Sequence, residues 1–157
     1  MPLPFFIASR KQAIILMGIQ ASGKSTFFRR YLASTHIHVS LDVLRTRHRE
    51  QTQIASAIAE QLSFAVDNTN LTRNVRAKAI ILALNAGYQV IGLFFRSSIK
   101  ECVQRNDVRE GKARVPSNVI ASSSNKLELP SHEEGFDALY YVSAKDDSFE
   151  ISQWRSE

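Results

Sequence analysis

The stretch Gly18–Ser25, GIQASGKS, follows directly on the apolar run Ala13–Met17. Its spacing is the G-x-x-x-x-G-K-[ST] pattern of a phosphate-binding loop, or P-loop. Gly18 and Gly23 allow the backbone to turn its N–H groups inward around an anion. A strand before this pattern and a helix after it form the context in which such a loop binds phosphate, and the sequence predicts both.

The pattern assigns chemistry to single positions in the loop. Lys24 supplies a positive charge for the β- and γ-phosphates, and Ser25 offers its hydroxyl to Mg²⁺. The helix expected at 24–34 turns the positive end of its dipole toward the same anion. We therefore predict that a nucleoside triphosphate binds at these residues: Gly18, Ala21, Ser22, Gly23, Lys24, Ser25 and Thr26.

Outward from the loop, strand patterns alternate with helix patterns. The predicted strands are 13–17, 37–40, 63–66, 88–95 and 138–143, and the predicted helices are 24–34, 41–49, 51–62, 71–86, 98–110 and 117–127. Such alternation is typical of a parallel α/β sheet with helices on both faces. Ligands of these sheets bind beyond the C-terminal ends of the strands, so the residues just after each strand are candidate site residues.

The helix at 71–86 has the clearest pattern. Val75, Ala79, Leu82 and Ala86 are expected on one buried face, and Gly87 is well placed to end the helix.

The segment SLDVLRTRHRE follows the second predicted strand. Asp42 and Arg45 are three residues apart and are expected on one helix face. One interpretation is that Asp42 only caps the helix. The other is that Asp42 accepts the proton of an acceptor hydroxyl while Arg45 binds an anionic substrate.

The segment FAVDNTNLTRNVR covers the third strand, the polar turn after it and the start of the next helix. An aspartate directly after a short apolar strand, here Asp67, is the Walker B arrangement that holds Mg²⁺. The alternative is a polar turn over 67–70 that caps the next helix. Arg73 and Arg76 fall in the first turns of that helix, where cations oppose the helix dipole, which favours a role other than helix stability.

A predicted lid spans about 105–116. Arg105 and Arg109 are four residues apart, and like charges at that spacing destabilise a helix by about 0.2–0.5 kcal/mol. They are either a solvated pair, relieved by Glu101 and Asp107, or lid arginines. Planar guanidinium groups can bridge the transferring phosphoryl group and the leaving oxygen.

Composition limits the classes of protein. The 157 residues favour one domain, 1–157. Twenty Lys and Arg against 15 Asp and Glu give a net charge of +5, which favours an anionic partner. The lone Cys102 excludes an intrachain disulfide and fits a reducing compartment. No apolar stretch reaches transmembrane length and Phe5–Ala8 is too short for a signal-peptide core, so a soluble cytoplasmic protein with no membrane partner is expected.

Four blocks in order resemble the P-loop polynucleotide 5′-kinases of phage and animal nucleic-acid end repair and their stand-alone bacterial relatives. The blocks are GIQASGKST, the Asp-x-x-Arg of DVLR, DNTN, and the Arg-x-x-x-Arg of RNDVREGKARVP. The resemblance implies a kinase fold of about five parallel strands with a small basic lid, and it implies ATP and Mg²⁺ as cofactors.

The same resemblance implies roles for residues. Lys24 and Ser25 hold the nucleotide and the metal, Asp42 is the general base, and Arg105 and Arg109 act from the lid. We assign the metal to Ser25 and Asp67, and substrate contacts to Arg45, Asp67, Asn70 and Arg73.

The sequence thus predicts transfer of the γ-phosphate of ATP to a hydroxyl, with the 5′ end of DNA or RNA as the favoured acceptor. The chain lacks the D-x-D-x-T phosphatase motif of bifunctional repair enzymes. Two alternatives stay open: a kinase of a nucleoside, sugar or antibiotic hydroxyl, and a nucleotide-binding protein without transferase activity. A basic surface leading away from Asp42 favours a nucleic acid, and a closed apolar pocket favours a small molecule.

Overall fold

The computed structural model describes residues 10–96 and 98–155, without the side chain of Lys112. Phe5–Ala8 lies outside the described residues. The described part contains a six-stranded sheet of order β2-β3-β1-β4-β5-β6. Its first five strands in chain order are parallel, and β6 pairs antiparallel to β5. Their bounds are β1 Gln12–Met17, β2 Ile37–Val39, β3 Phe64–Asp67, β4 Gln89–Phe95, β5 Ala138–Lys145 and β6 Ser148–Gln153.

Helices cover both faces of this sheet, which confirms the predicted α/β class. They are α1 Lys24–Phe27, a π-helix over Phe28–Leu32, α2 Leu41–Leu44, α3 Arg47–Ala59, α4 Arg73–Asn85, α5 Ile99–Asp107 and α6 Ser117–Lys126. No helix within 10–96 and 98–155 is both long and apolar enough to cross a membrane.

The core lies on the two faces of β1. Alternate side chains of a strand point to opposite faces, so Ala13 and Ile15 pack into one cluster with α3 and α4, while Ile14 and Leu16 pack into another with α1 and the π-helix. These β1 residues are buried, as their near-continuous apolar sequence predicts for a central parallel strand. The P-loop therefore follows a strand that is held on both sides.

The predicted helix at 41–49 is wrong. Helix α2 ends at Leu44, and Arg45 takes a left-handed conformation with φ 71°. Thr46 then starts α3, because its side chain accepts a hydrogen bond from the Arg49 amide. The break predicted near residue 50 does not occur, since Glu50 is buried within α3 and accepts a hydrogen bond from the Asn68 amide.

The predicted buried face of α4 is also wrong in part. Val75 and Leu82 are 36% and 37% exposed, whereas the buried positions are Arg76, Ala79, Ile80 and Ala83. The reason is the Arg76 guanidinium, whose Nε lies 2.9 Å from the Glu134 carboxylate beneath the helix. Gly87 does follow the helix end, with φ 80°.

Strand β6 is not predicted from the sequence. It returns antiparallel to β5 through a tight turn, with Asp146 at φ 54°. Its Phe149 packs edge-on against Phe27 and Phe95 at centroid distances of 5.3 and 6.4 Å. The hairpin thus extends the core to a position beside the P-loop.

Candidate active site

A cavity of about 580 Å³ lies at the C-terminal ends of β1 and β3. Its walls come from five parts of the chain: residues 20–26 of the P-loop and α1, Arg29 of the π-helix, the start of α2 with Asp42, residues 67–69 at the end of β3 and in the turn after it, and the lid residues Arg109, Ala113 and Val115. This is the edge at which parallel sheets bind ligands.

The P-loop backbone has positive φ angles at Gly18 and Gly23, which glycine adopts more easily than other residues. Gly18 and Gly23 have φ values of 152° and 104°. A Cβ atom at Gly18 would lie 2.9 Å from the Ser22 hydroxyl and 3.0 Å from the Phe95 carbonyl oxygen, and one at Gly23 would lie 3.1 Å from the Phe149 ring. A side chain at either position would therefore displace the loop.

Lys24 lies inside the loop. Its Nζ donates hydrogen bonds of 2.8 Å to the carbonyls of Gly18 and Ile19 and of 3.3 Å to the Ser22 hydroxyl. Burial lowers the pKa of Lys24 to about 8, an effect that the nearby Asp67 carboxylate opposes. An anionic phosphate in the loop would supply the negative charge that this ammonium otherwise lacks.

Asp67 ends β3 and meets Ser25 at the start of α1. The Ser25 hydroxyl donates to Asp67 Oδ2 at 2.7 Å, and His38 Nε2 lies 2.7 Å from the same oxygen. Burial alone would raise the pKa of Asp67, but the hydrogen bonds from His38 and Ser25 and the charge of Lys24 outweigh it and lower the pKa. Asp67 is therefore ionised at neutral pH.

Ser25 and Asp67 fit a magnesium ion. Both offer oxygen ligands, and Mg²⁺ is usually held by one or two protein groups together with phosphate and water. Within 10–96 and 98–155, no group of three or more His, Cys, Asp or Glu side chains could hold a metal alone. The residues present thus suit a metal that arrives with a nucleotide.

Asp42 and Arg45 differ in their position relative to the cavity. Asp42 lines the cavity from the first turn of α2, whose N-cap is Ser40, so the interpretation of Asp42 as the helix cap is wrong. Arg45 follows the last residue of α2, is exposed, and does not line the cavity. The two therefore do not share a helix face.

The two predicted lid arginines also have different positions. Arg105 lies in α5 and donates from Nη1 to the Ala21 carbonyl at 3.2 Å, which ties the lid helix to the P-loop. Arg109 lies beyond the end of α5 at Asp107, lines the cavity, and donates to the Ala113 carbonyl at 3.2 Å. The predicted helix over 98–110 is thus too long, and only Arg109 of this pair lines the cavity.

Asn70 and Arg73 are not brought into the cavity. Asn70 is buried, and its amide donates to the carbonyls of Leu16 and Val66 at 2.6 and 3.3 Å. Arg73 is exposed at the start of α4. Asn70 therefore joins the ends of β1 and β3. The buried arginine of α4 is Arg76, which pairs with Glu134.

Three polar residues that support the site were not predicted. Asn68 accepts from the Leu41 amide at 2.7 Å, which fixes the start of α2 beside β3. Asn106 is 1% exposed. Its side-chain amide donates to the Val115 carbonyl and accepts from the Val115 backbone N–H, which closes the lid loop. His38 contacts Asp67. For His38, the sequence offers one signal of such a role: a polar residue stands in the middle of the strand Ile37-His38-Val39, where an apolar residue is expected.

The fold and this cavity place the chain among the P-loop α/β domains. The chain belongs to the AAA domain family, whose sequence profile matches residues 14–130. That range runs from β1 past α6 and includes the P-loop, Asp42, Asp67 and the lid.

Individual known proteins agree with this class. The chain is 25% identical over 140 residues to the bifunctional polynucleotide phosphatase/kinase of Schizosaccharomyces pombe, a match that covers 86% of this chain and 34% of that protein. This chain thus spans about a third of that relative. The resemblance to polynucleotide kinases predicted from the sequence is confirmed.

Solved structures show the same fold at lower identity. A fungal RNA kinase superposes with a TM-score of 0.64 at 14% identity, covering 88% of this chain and 40% of that one. A gluconokinase from Sinorhizobium meliloti superposes with a TM-score of 0.61 at 21% identity, covering 84% and 82%.

Proposed function

We propose that this chain transfers the γ-phosphate of ATP to the 5′-hydroxyl end of a nucleic acid. The observation that carries the proposal is that Asp42 lines the same cavity as Ser25 and Lys24 of the P-loop. A carboxylate in the wall of a triphosphate site is the group that a hydroxyl acceptor needs in order to lose its proton.

The protein groups divide the work of an in-line transfer. Lys24 and the P-loop amides hold the triphosphate, and the hydroxyl oxygen attacks the γ-phosphorus while the bond to the β–γ bridging oxygen breaks. Asp42 accepts the hydroxyl proton, and ADP leaves. Arg109 stabilises the charge on the transferring phosphoryl group. Bound Mg²⁺, held by Ser25 and Asp67, would supply further neutralisation of phosphate charge.

The choice of a nucleic acid rests on the acceptor side of the cavity. Arg45 follows α2, three residues after Asp42, and Arg47 and Arg49 continue the exposed basic segment. We assign to Arg45, which is exposed and lies outside the cavity lining, the phosphate one nucleotide inward from the reacting end, because a polymer extends beyond the cavity that holds its end. The cavity wall is largely polar and charged, which disfavours an apolar small molecule as the acceptor. The polynucleotide phosphatase/kinase relative supports the same acceptor.

The test is transfer of label from γ-labelled ATP. DNA and RNA oligonucleotides with a 5′-hydroxyl are compared with nucleosides, sugars and gluconate at equal concentration. We expect label at the oligonucleotide 5′ end, and a 5′-phosphorylated oligonucleotide is the matched control that accepts none. Label on a metabolite alone would overturn the proposal and indicate a small-molecule kinase instead.

Asp42→Asn separates the chemistry from binding in the same assay. Loss of the general base is expected to lower kcat by roughly 10²–10⁴ while ATP affinity is kept. An unchanged kcat would remove Asp42 from the mechanism.

A further inference from the structure

His38 is a histidine in an otherwise apolar edge strand, with its imidazole next to the candidate metal site. In the sheet register His38 lies opposite Ala65. Ala65 and Asp67 are two residues apart on β3 and share a face of the sheet. The side chain of His38 therefore reaches diagonally to Asp67, and its Nε2 lies 2.7 Å from Oδ2.

The imidazole is held from its other side by a ring. Phe28, at the start of the π-helix, stacks on His38 with a centroid distance of 4.1 Å and an interplanar angle of 18°. Phe28 is 5% exposed and belongs to the core cluster that packs against β1 and β3. The stacking fixes the plane of the imidazole, and with it the direction of the hydrogen bond to Asp67.

We propose that His38 is a positioning residue that holds the Asp67 carboxylate in the orientation required by the nucleotide-bound Mg²⁺. His38 does not line the cavity, so it acts through Asp67 and not on a substrate. Ser25 donates to the same Oδ2, but the Ser25 oxygen is itself a metal ligand in the proposed site. His38 is then the donor whose bond to Asp67 does not compete with the metal.

Hydrogen-bonding partners of metal ligands have measurable effects. Loss of such a partner lowers metal affinity by about 10–100-fold, because the ligand loses its fixed orientation. The role of His38 rests on the proposed Mg²⁺–ATP site and is independent of the proposed acceptor.

The test measures ATP binding without turnover. A fluorescent ATP analogue is titrated in EDTA and then in rising Mg²⁺, and Mn²⁺ bound to the complex with a non-hydrolysable analogue is followed by electron paramagnetic resonance. We expect His38→Ala to raise the half-saturating Mg²⁺ concentration about tenfold or more, with affinity in EDTA unchanged within about twofold. His38→Gln, whose amide nitrogen can reach the position of Nε2, should recover most of the loss.

Two further variants control for structure. His38→Leu keeps apolar volume against Phe28 without a donor and should behave like His38→Ala, and His38→Asn serves if an apolar residue prevents folding. His36→Gln is the matched control, since His36 precedes the same strand but bonds to Gln12 at 3.1 Å, away from Asp67. Its Mg²⁺ requirement should equal that of the wild type.

The outcomes are distinct. An unchanged Mg²⁺ requirement in a folded His38→Ala or His38→Leu protein overturns the role of His38. An equal loss of affinity in EDTA and in Mg²⁺, or a His38→Gln protein no better than His38→Ala, also overturns it and leaves His38 as a packing residue. If the wild type shows no Mg²⁺-dependent ATP binding, the proposed nucleotide site itself fails.

Discussion

The residues that we propose for the phosphate donor and those that we propose for the acceptor are held differently in the structure. On the donor side, Lys24 and Asp67 are 8% and 5% exposed and are held by short hydrogen bonds. On the acceptor side, Asp42 and Arg45 are exposed on a four-residue helix and at its end. The core of the sheet fixes the first set in advance, whereas the second set depends on a short surface segment. The proposed donor side therefore suits a single ligand, whereas the proposed acceptor side can change conformation with its substrate.

Among the P-loop and lid variants, the largest effect is expected at Lys24. Lys24→Ala should lower kcat by roughly 10²–10³, because a fixed charge on the transferring phosphate is lost. The measurement is steady-state transfer, with thermal melting to show that the fold is kept. Lys11→Ala, at an exposed lysine just before β1, is the control and should turn over normally. A wild-type kcat in Lys24→Ala would contradict the assignment of Lys24 to the transferring phosphate.

The buried ammonium also predicts a pH dependence of stability without nucleotide. The pKa of Lys24 falls from 10.5 to about 8 on folding, so between these pH values the unfolded chain binds more protons than the folded one. The free energy of unfolding should then rise with pH across this window, by up to about 3 kcal/mol from this group. Urea unfolding at several pH values gives the slope, and Lys24→Met is the reference in which this contribution is absent. Equal slopes in both proteins would contradict the burial effect.

The two lid arginines are expected to affect different kinetic parameters, because Arg109 lines the cavity and Arg105 contacts the P-loop. Arg109→Ala should lower kcat by roughly 10², more than it raises the KM for ATP, since Arg109 lines the cavity and acts on transition-state charge. Arg105→Ala should mainly raise the KM for ATP, because Arg105 holds the Ala21 carbonyl of the P-loop. Steady-state kinetics separate the two variants. Identical losses of kcat in the two variants would contradict this division and indicate that both arginines act in the same way.

The smallest effect is expected at Arg45. Arg45→Ala should raise the KM for an oligonucleotide by about tenfold, the loss of one charged contact of about 1.4 kcal/mol, with the KM for ATP nearly unchanged. Because the contact is ionic, the oligonucleotide KM of the wild type should also rise with salt, more steeply than that of Arg45→Ala. Lys11→Ala is the control, since Lys11 is exposed before the start of β1 and so lies at the edge of the sheet opposite the cavity. A salt response equal in all three proteins would remove Arg45 from the acceptor site.

Much of the fold and the donor side could be predicted because the signals are local. The P-loop is a contiguous pattern whose spacing encodes its backbone, and the apolar runs before residues 18, 67 and 96 indicate buried parallel strands. The acceptor side was harder. The break at Arg45 depends on a left-handed residue and on Thr46 as a cap, and both signals lie within a run that otherwise reads as one helix.

The P-loop, the α/β sheet and the family can be predicted from the sequence, because each depends on short-range spacing. The contacts between polar groups far apart in the chain depend on the tertiary fold: Ser25 with Asp67, Arg76 with Glu134, and Arg105 with the Ala21 carbonyl. Arg76 shows the physical reason. A guanidinium reads as a surface group in any local pattern, and its burial is stable only because a carboxylate 58 residues away neutralises it.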